Sequence, residues 1–205
     1  MAVVTNALLT ALLQGFKGIF QQVFKTTPSD YAQIATLVPS NSAGNTYGWL
    51  GQFPKLQEWV GSRVLKDIKQ HAYAIQNKLY EASISLPRTA IEDDTIGIYR
   101  PLVEEMGRAA RAFPDELCFP LLADGMNQPC YDGQSFFDEE HPVFPNVDGK
   151  GAPAQVSNYD GGTDPAWYLL DTSRALKPLI FQERTKPEFE AIKDTSNDTV
   201  FMKDE

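Results

Sequence analysis

The chain has 205 residues, 42% of them hydrophobic and 22% charged, a balance that excludes a wholly disordered polymer and allows one sizeable core. Eighteen Lys and Arg against 27 Asp and Glu leave a net charge of −9, which argues against a nucleic-acid-coating role, since that work needs positive charge. No apolar run is long enough to cross a bilayer, the N-terminus lacks the basic start of a secretory signal, and two cysteines make no disulfide framework, so a reducing, intracellular compartment is expected.

Residues 6–25 carry Leu9, Leu12, Leu13, Phe16, Phe20 and Val23 at three- and four-residue spacing, which predicts an amphipathic helix capped by Thr5 or Asn6. Gly15 and Gly18 weaken it by about 1 kcal/mol each relative to Ala, so it needs a partner surface. Residues 26–62 are broken by Pro28, Pro39 and Pro54. Their centre, Asn45 to Gly51, mixes Tyr47 and Trp49 with glycines, the composition of an extended arm lying on apolar surface.

Over residues 63–88, His71, Tyr73 and Ile75 alternate with small or polar residues, and Tyr80, Ala82, Ile84 and Leu86 do so again. With a turn at Gln76-Asn77-Lys78 this predicts a β-hairpin, five basic residues against two acidic between Arg63 and Arg88. The triplet Glu92-Asp93-Asp94 then precedes Ile96, Tyr99, Leu102, Val103, Met106, Ala109, Ala110 and Phe113. Carboxylates at a helix start complement its positive end, so a long helical rod is expected over 92–126, in which Pro101 fits a first turn or kinks a helix begun at Asp94, with a second turn-start at Asp115-Glu116 after Pro114. Residues 127–165 read as a loop region with isolated aromatics. Trp167 to Leu170 and Leu179 to Phe181 read as short buried strands, and Thr199 to Met202 as another strand-like run.

Residues suited to catalysis are sparse. Asp138-Glu139-Glu140-His141 offers ligand types for a hard or borderline cation, but four consecutive residues cannot all point inward. It is read as a solvated acidic turn before Pro142, in which His141→Ala is structurally mild. Cys118 reads as a small buried apolar residue, and the phosphate-cradling and nucleophile-elbow motifs do not occur. The expectation is therefore no catalytic residue, no metal and no cofactor. Charge is segregated instead: residues 1–91 carry 8 basic and 4 acidic side chains, residues 92–171 carry 4 and 16. Two readings follow: the acidic residues sit in solvated loops and keep the chain soluble, or copies of the chain attract one another in a fixed register.

In order along the chain, Val38-Pro39-Ser40, Asn45 to Gln52, Glu58-Trp59-Val60-Gly61, Ile91 to Asp94, Gly97-Ile98-Tyr99, Glu105 to Ala110, Pro114 to Leu117, Cys130 to Gln134, Phe136-Phe137-Asp138 and His141-Pro142 resemble the Mu-like phage major head (capsid) subunit family. The resemblance spans most of residues 1–180.

What it implies is an α+β chain of the Hong Kong 97-type capsid fold. An N-terminal helix and arm would occupy 1–62 and an extended β-hairpin loop 63–90. A peripheral domain with the spine helix and acidic loop would take 91–164, and an axial domain would start at 165–205. Family members continue beyond Glu205, so the axial domain is expected to be incomplete. The implied role is a non-enzymatic building block that assembles with itself into hexamers and pentamers of an icosahedral shell. That shell encloses double-stranded DNA without sequence-specific contact, has scaffold or decoration proteins as further partners and touches no membrane. It would be a virion component put together in the host bacterial cytoplasm. Candidate subunit-interface residues are Leu12, Phe16, Trp49, Trp59, Arg63, Lys66, Lys69, Lys78, Glu92, Asp93 and Asp94. Two other readings stand beside it: a cargo-enclosing cellular shell of the same fold, and a metal-dependent hydrolase using Asp138, Glu140 and His141.

Overall fold

A computed structural model describes residues 5–48, 73–92, 96–146 and 150–191. The chain divides into two compact units: Met1–Ala32 with Lys78–Glu116 and Thr185–Glu205, and Gln33–Asn77 with Leu117–Arg184.

The first unit is built on two helices. Helix α1 spans Asn6–Thr26, and the Thr5 hydroxyl accepts a hydrogen bond from the Leu8 N–H at 3.2 Å, satisfying one of the amides that the first turn leaves without a partner. Helix α3 is short (Arg88–Glu92), and after a 3-10 turn at Ile96–Tyr99 the long helix α4 runs over Arg100–Ala123. Phe16 and Phe20 of α1 bury against Val103 of α4, with Leu12, Ile19, Phe24, Leu86, Tyr99, Met106, Ala110 and Phe189 packed around them. Val103, Met106, Gly107 and Ala110 share one face of α4. The partner that α1 needs is therefore supplied by its own chain.

Two expectations for α4 are corrected. It starts at Arg100, not at residue 92, with Pro101 in the first turn, where its missing N–H is unused anyway. No acidic residue lies in that turn, and Arg100 closes it by pairing with Glu104 at 2.8 Å. Nor does the helix restart after Pro114. It continues through Pro114 and Pro120 because its apolar face runs on to the buried Cys118 and Leu122, and that burial offsets interior prolines costing about 3 kcal/mol each.

Asp115 does not open a new helix. Its Oδ1 accepts from the Ser29 hydroxyl (3.1 Å) and from the N–H groups of Asp30 (3.0 Å) and Tyr31 (2.6 Å), capping the short helix α2 (Tyr31–Ile34). Asp115→Ala is expected to destabilise the chain by about 1.5–3 kcal/mol, the range for hydrogen bonds to a charged group. Asp115→Asn, which keeps an acceptor, should lose less. Urea unfolding midpoints of the two variants check the order.

In the second unit, strand β1 (Ala35–Pro39) pairs in parallel with β6 (Leu179–Glu183), Ala35 opposite Leu179. The Thr36 hydroxyl accepts from the Lys177 N–H at 2.8 Å and so fixes the entry to β6. Strand β2 (Gly44–Tyr47) pairs antiparallel with β3 (Tyr73–Gln76), Tyr47 opposite Tyr73. A second antiparallel pair joins β4 (His141–Val143) to β5 (Ala154–Val156).

The hairpin expected over 63–90 is corrected where it can be seen. Residues 63–72 lie outside the described set, the partner of β3 is β2, and residues 77–87 take no strand. Asn77 is not a turn residue. Its Nδ2 donates to Ser40 Oγ (2.9 Å) and to the Ser42 carbonyl (2.7 Å), while its Oδ1 accepts from Gln182 Nε2 (2.8 Å). Gln182 Oε1 in turn accepts from the Tyr47 hydroxyl at 2.7 Å, so side chains tie the β1–β6 and β2–β3 pairs together.

Leu179–Glu183 is a strand as expected, with Leu179 buried. Trp167 to Leu170 is neither strand nor buried: Trp167 is 81% and Leu169 87% exposed, and the Tyr168 ring rests 5.5 Å from that of Phe137. Residues 199–202 lie outside the described set.

Candidate functional site

The acidic turn is built from the loop that follows α4. Cys130 N–H donates to the Gln134 carbonyl at 2.6 Å, and the chain turns at Gly133, whose φ of 92° suits a residue without Cβ. Asp132 inside this turn accepts the Gln134 N–H on Oδ1 (3.1 Å) and presents Oδ2 to His141 Nδ1 at 2.7 Å. The two side chains are 8% and 14% exposed. His141 Nε2 is buried with no hydrogen-bond partner.

The cluster at 138–141 is therefore divided. Asp138 Oδ1 accepts from the Glu140 N–H (2.9 Å), and the Asp138 backbone exchanges hydrogen bonds with Asn158. His141 belongs to Asp132 and is enclosed, which corrects the expectation of a solvated histidine. Among the described residues, no group of three or more His, Cys, Asp or Glu side chains is placed to hold a metal ion. Burial, more than the neighbouring Asp132, raises the Cys130 thiol above its ordinary range, so it is protonated at neutral pH and a poor nucleophile. Cys118 is buried, as expected.

Of the interface candidates, Phe16 is 6% exposed in the core of the first unit and Leu12 is half-buried against that core. Lys78 is exposed. Trp49, Trp59, Arg63, Lys66, Lys69, Asp93 and Asp94 lie outside the described residues, as does the side chain of Glu92 at the end of α3. Sequence reasoning passed over the exposed pair Trp167 and Leu169, because an apolar run reads as buried. The aspartates before it, Asp160 and Asp164, were the signal that it lies at the surface.

The family model described as Mu-like prophage major head subunit gpT matches residues 9–205. The chain belongs to that family. It is 50% identical over 206 residues to the major capsid protein of Escherichia phage Mu, covering 99% of this chain and 68% of the relative. It is 49% identical over 208 residues to the Mu-like prophage FluMu major head subunit of Haemophilus influenzae, covering all of this chain and 68% of that one. Among solved structures, the chain matches the procapsid of bacteriophage JBD30 with a TM-score of 0.82 and 55% identity over 97% of its length, and 67% of that subunit is covered. The JBD30 capsid gives a TM-score of 0.57 at 48% identity, with 97% of this chain and 64% of that one covered. The chain thus spans about two thirds of its relatives' length, and its mixed helix and sheet content is that of phage capsid subunits.

Proposed function

We propose that this chain is a shell-building subunit of a Mu-like phage head, with the Hong Kong 97-type arrangement of arm, extended loop, spine helix and axial strands. The observation that carries it is the family match over residues 9–205 together with two capsid relatives near 50% identity. In this reading α4 is the spine. The arm, with Trp49 and Trp59, and the extended loop after it, with Arg63, Lys66 and Lys69, bridge neighbouring copies. Hexamers and pentamers are the assembly units, with scaffold and decoration proteins as further partners. Double-stranded DNA is enclosed without base-specific contact, as suits a net charge of −9. Assembly takes place in the host bacterial cytoplasm.

Electron microscopy and sedimentation of the expressed chain test the reading. Closed shells or ring-shaped capsomers are expected, and a monodisperse monomer with metal-dependent hydrolytic activity overturns it. Joint reversal of Arg63, Lys66 and Lys69 to Glu should reduce assembly, most strongly at low ionic strength, where the attraction between basic and acidic parts of neighbouring copies is least screened.

A further inference from the structure

The second unit exposes two large apolar side chains that flank a single residue in sequence. Trp167 and Leu169 are 81% and 87% exposed, whereas Tyr168 between them is 42% exposed and rests on the Phe137 ring. Phe137 is itself fixed: its N–H donates to the Gly125 carbonyl at 3.1 Å, and its ring packs edge-on against Phe136 at 4.9 Å. Tyr168 is thus an anchor, and the residues on either side of it face outward. A tryptophan buries about 150–250 Å² when it finds a pocket, and tryptophans are enriched among the residues that dominate interfaces.

The surroundings of the pair say what kind of surface it meets. Asp160 and Asp164 precede it and Asp171 follows, with no basic residue between Ser157 and Ser173. Arg174, beyond that stretch, pairs with Asp171 at 3.1 Å, which leaves Asp160 and Asp164 to set the local charge. The complement is an apolar recess with a basic rim. Within this chain basic residues outnumber acidic ones by 8 to 4 in residues 1–91, whereas residues 92–171 hold 16 acidic and 4 basic. A subunit that assembles with its own copies supplies that complement from a neighbour.

We propose that Trp167 and Leu169 form a knob that docks on the basic first 91 residues of a second copy of this chain. The inference rests on the shell-building reading and adds to it the contact segment and its counterpart.

Photo-crosslinking tests it. Benzoylphenylalanine replaces Trp167 in the full chain, light- and heavy-isotope copies are mixed before assembly, and the particles are irradiated. A light–heavy cross-link to a peptide within residues 1–91 is expected. A cross-link confined to one copy, one to residues 92–205, one to another protein, or none in intact particles overturns the proposal. In parallel, Trp167→Ala with Leu169→Ala should lower particle yield at least tenfold with the thermal midpoint of the unassembled chain unchanged. An unchanged yield overturns it as well. A wild-type chain that forms no particle fails earlier, at the shell-building reading, and is distinguished by the absence of particles before any cross-link is made.

Discussion

A methyl group added at Gly107 should destabilise the chain by about 1–3 kcal/mol, the usual penalty for overfilling a packed site. On an isolated helix the sign is opposite, because Ala is favoured over Gly by about 1 kcal/mol. The close approach of α1 and α4 decides between them. A Cβ at residue 107 would lie 2.8 Å from the Phe20 carbonyl oxygen, 3.2 Å from Val23 Cβ and 3.4 Å from Phe20 Cα. Two of those atoms are helix backbone and cannot swing aside as a side-chain tip can, so the helices must separate. Separation loosens Phe16, Phe20 and the fully buried Val103 together. Gly107→Val should therefore cost more than Gly107→Ala. Phe20→Ala, which removes a core ring but leaves the backbone atoms that crowd residue 107, should cost about 3–5 kcal/mol. Gly107→Ala combined with Phe20→Ala should fall short of the sum, since helices already pushed apart at residue 107 hold the Phe20 ring less tightly. Thermal and urea unfolding measure all four, and a stabilised Gly107→Ala would show that the helices do not meet at this residue.

Those two helices were legible because their periodicity is local: every third or fourth residue of α1 and α4 is apolar, whatever the rest of the chain does. What misled was punctuation. Glu92-Asp93-Asp94 has the chemistry of a helix start and Pro114 that of a stop, yet the start lies at Arg100, and packing carries α4 through the proline. Strand partners were less legible. Alternation correctly marks Tyr73–Gln76 as β, but a period of two fits any partner equally well, and the nearest candidate, residues 80–86, is not the one used. The parallel pairing of Ala35–Pro39 with Leu179–Glu183 leaves no local trace at all. Trp167 to Leu170 shows the converse limit: composition reports that a run is apolar, but only the lodging of Tyr168 on Phe137 reveals which of its members face out. Family membership was readable for a different reason, since an ordered series of short motifs survives errors in any single element.

His141→Ala is where a solvated acidic turn and the enclosed pair give opposite results. A solvated histidine can be removed at little cost. Here removal leaves Asp132 Oδ2 without its 2.7 Å partner on a side chain only 8% exposed. An orphaned buried acceptor costs about 1–3 kcal/mol, and more when it is a carboxylate. The pair also joins two local elements, because Asp132 belongs to the turn at Gly133 and His141 begins β4. Losing it should therefore loosen the β4–β5 pair as well as the turn. His141→Asn places an amide donor near the position of Nδ1 and should recover most of the loss. His141→Ala with Asp132→Ala should cost less than the two single losses added together, because the second change removes the group that the first one stranded. Urea unfolding of the four variants completes the cycle, and hydrogen exchange at Val143 and Val156 reports the strand pair directly. Additive losses, or a neutral His141→Ala, would mean that the imidazole and the carboxylate do not depend on each other.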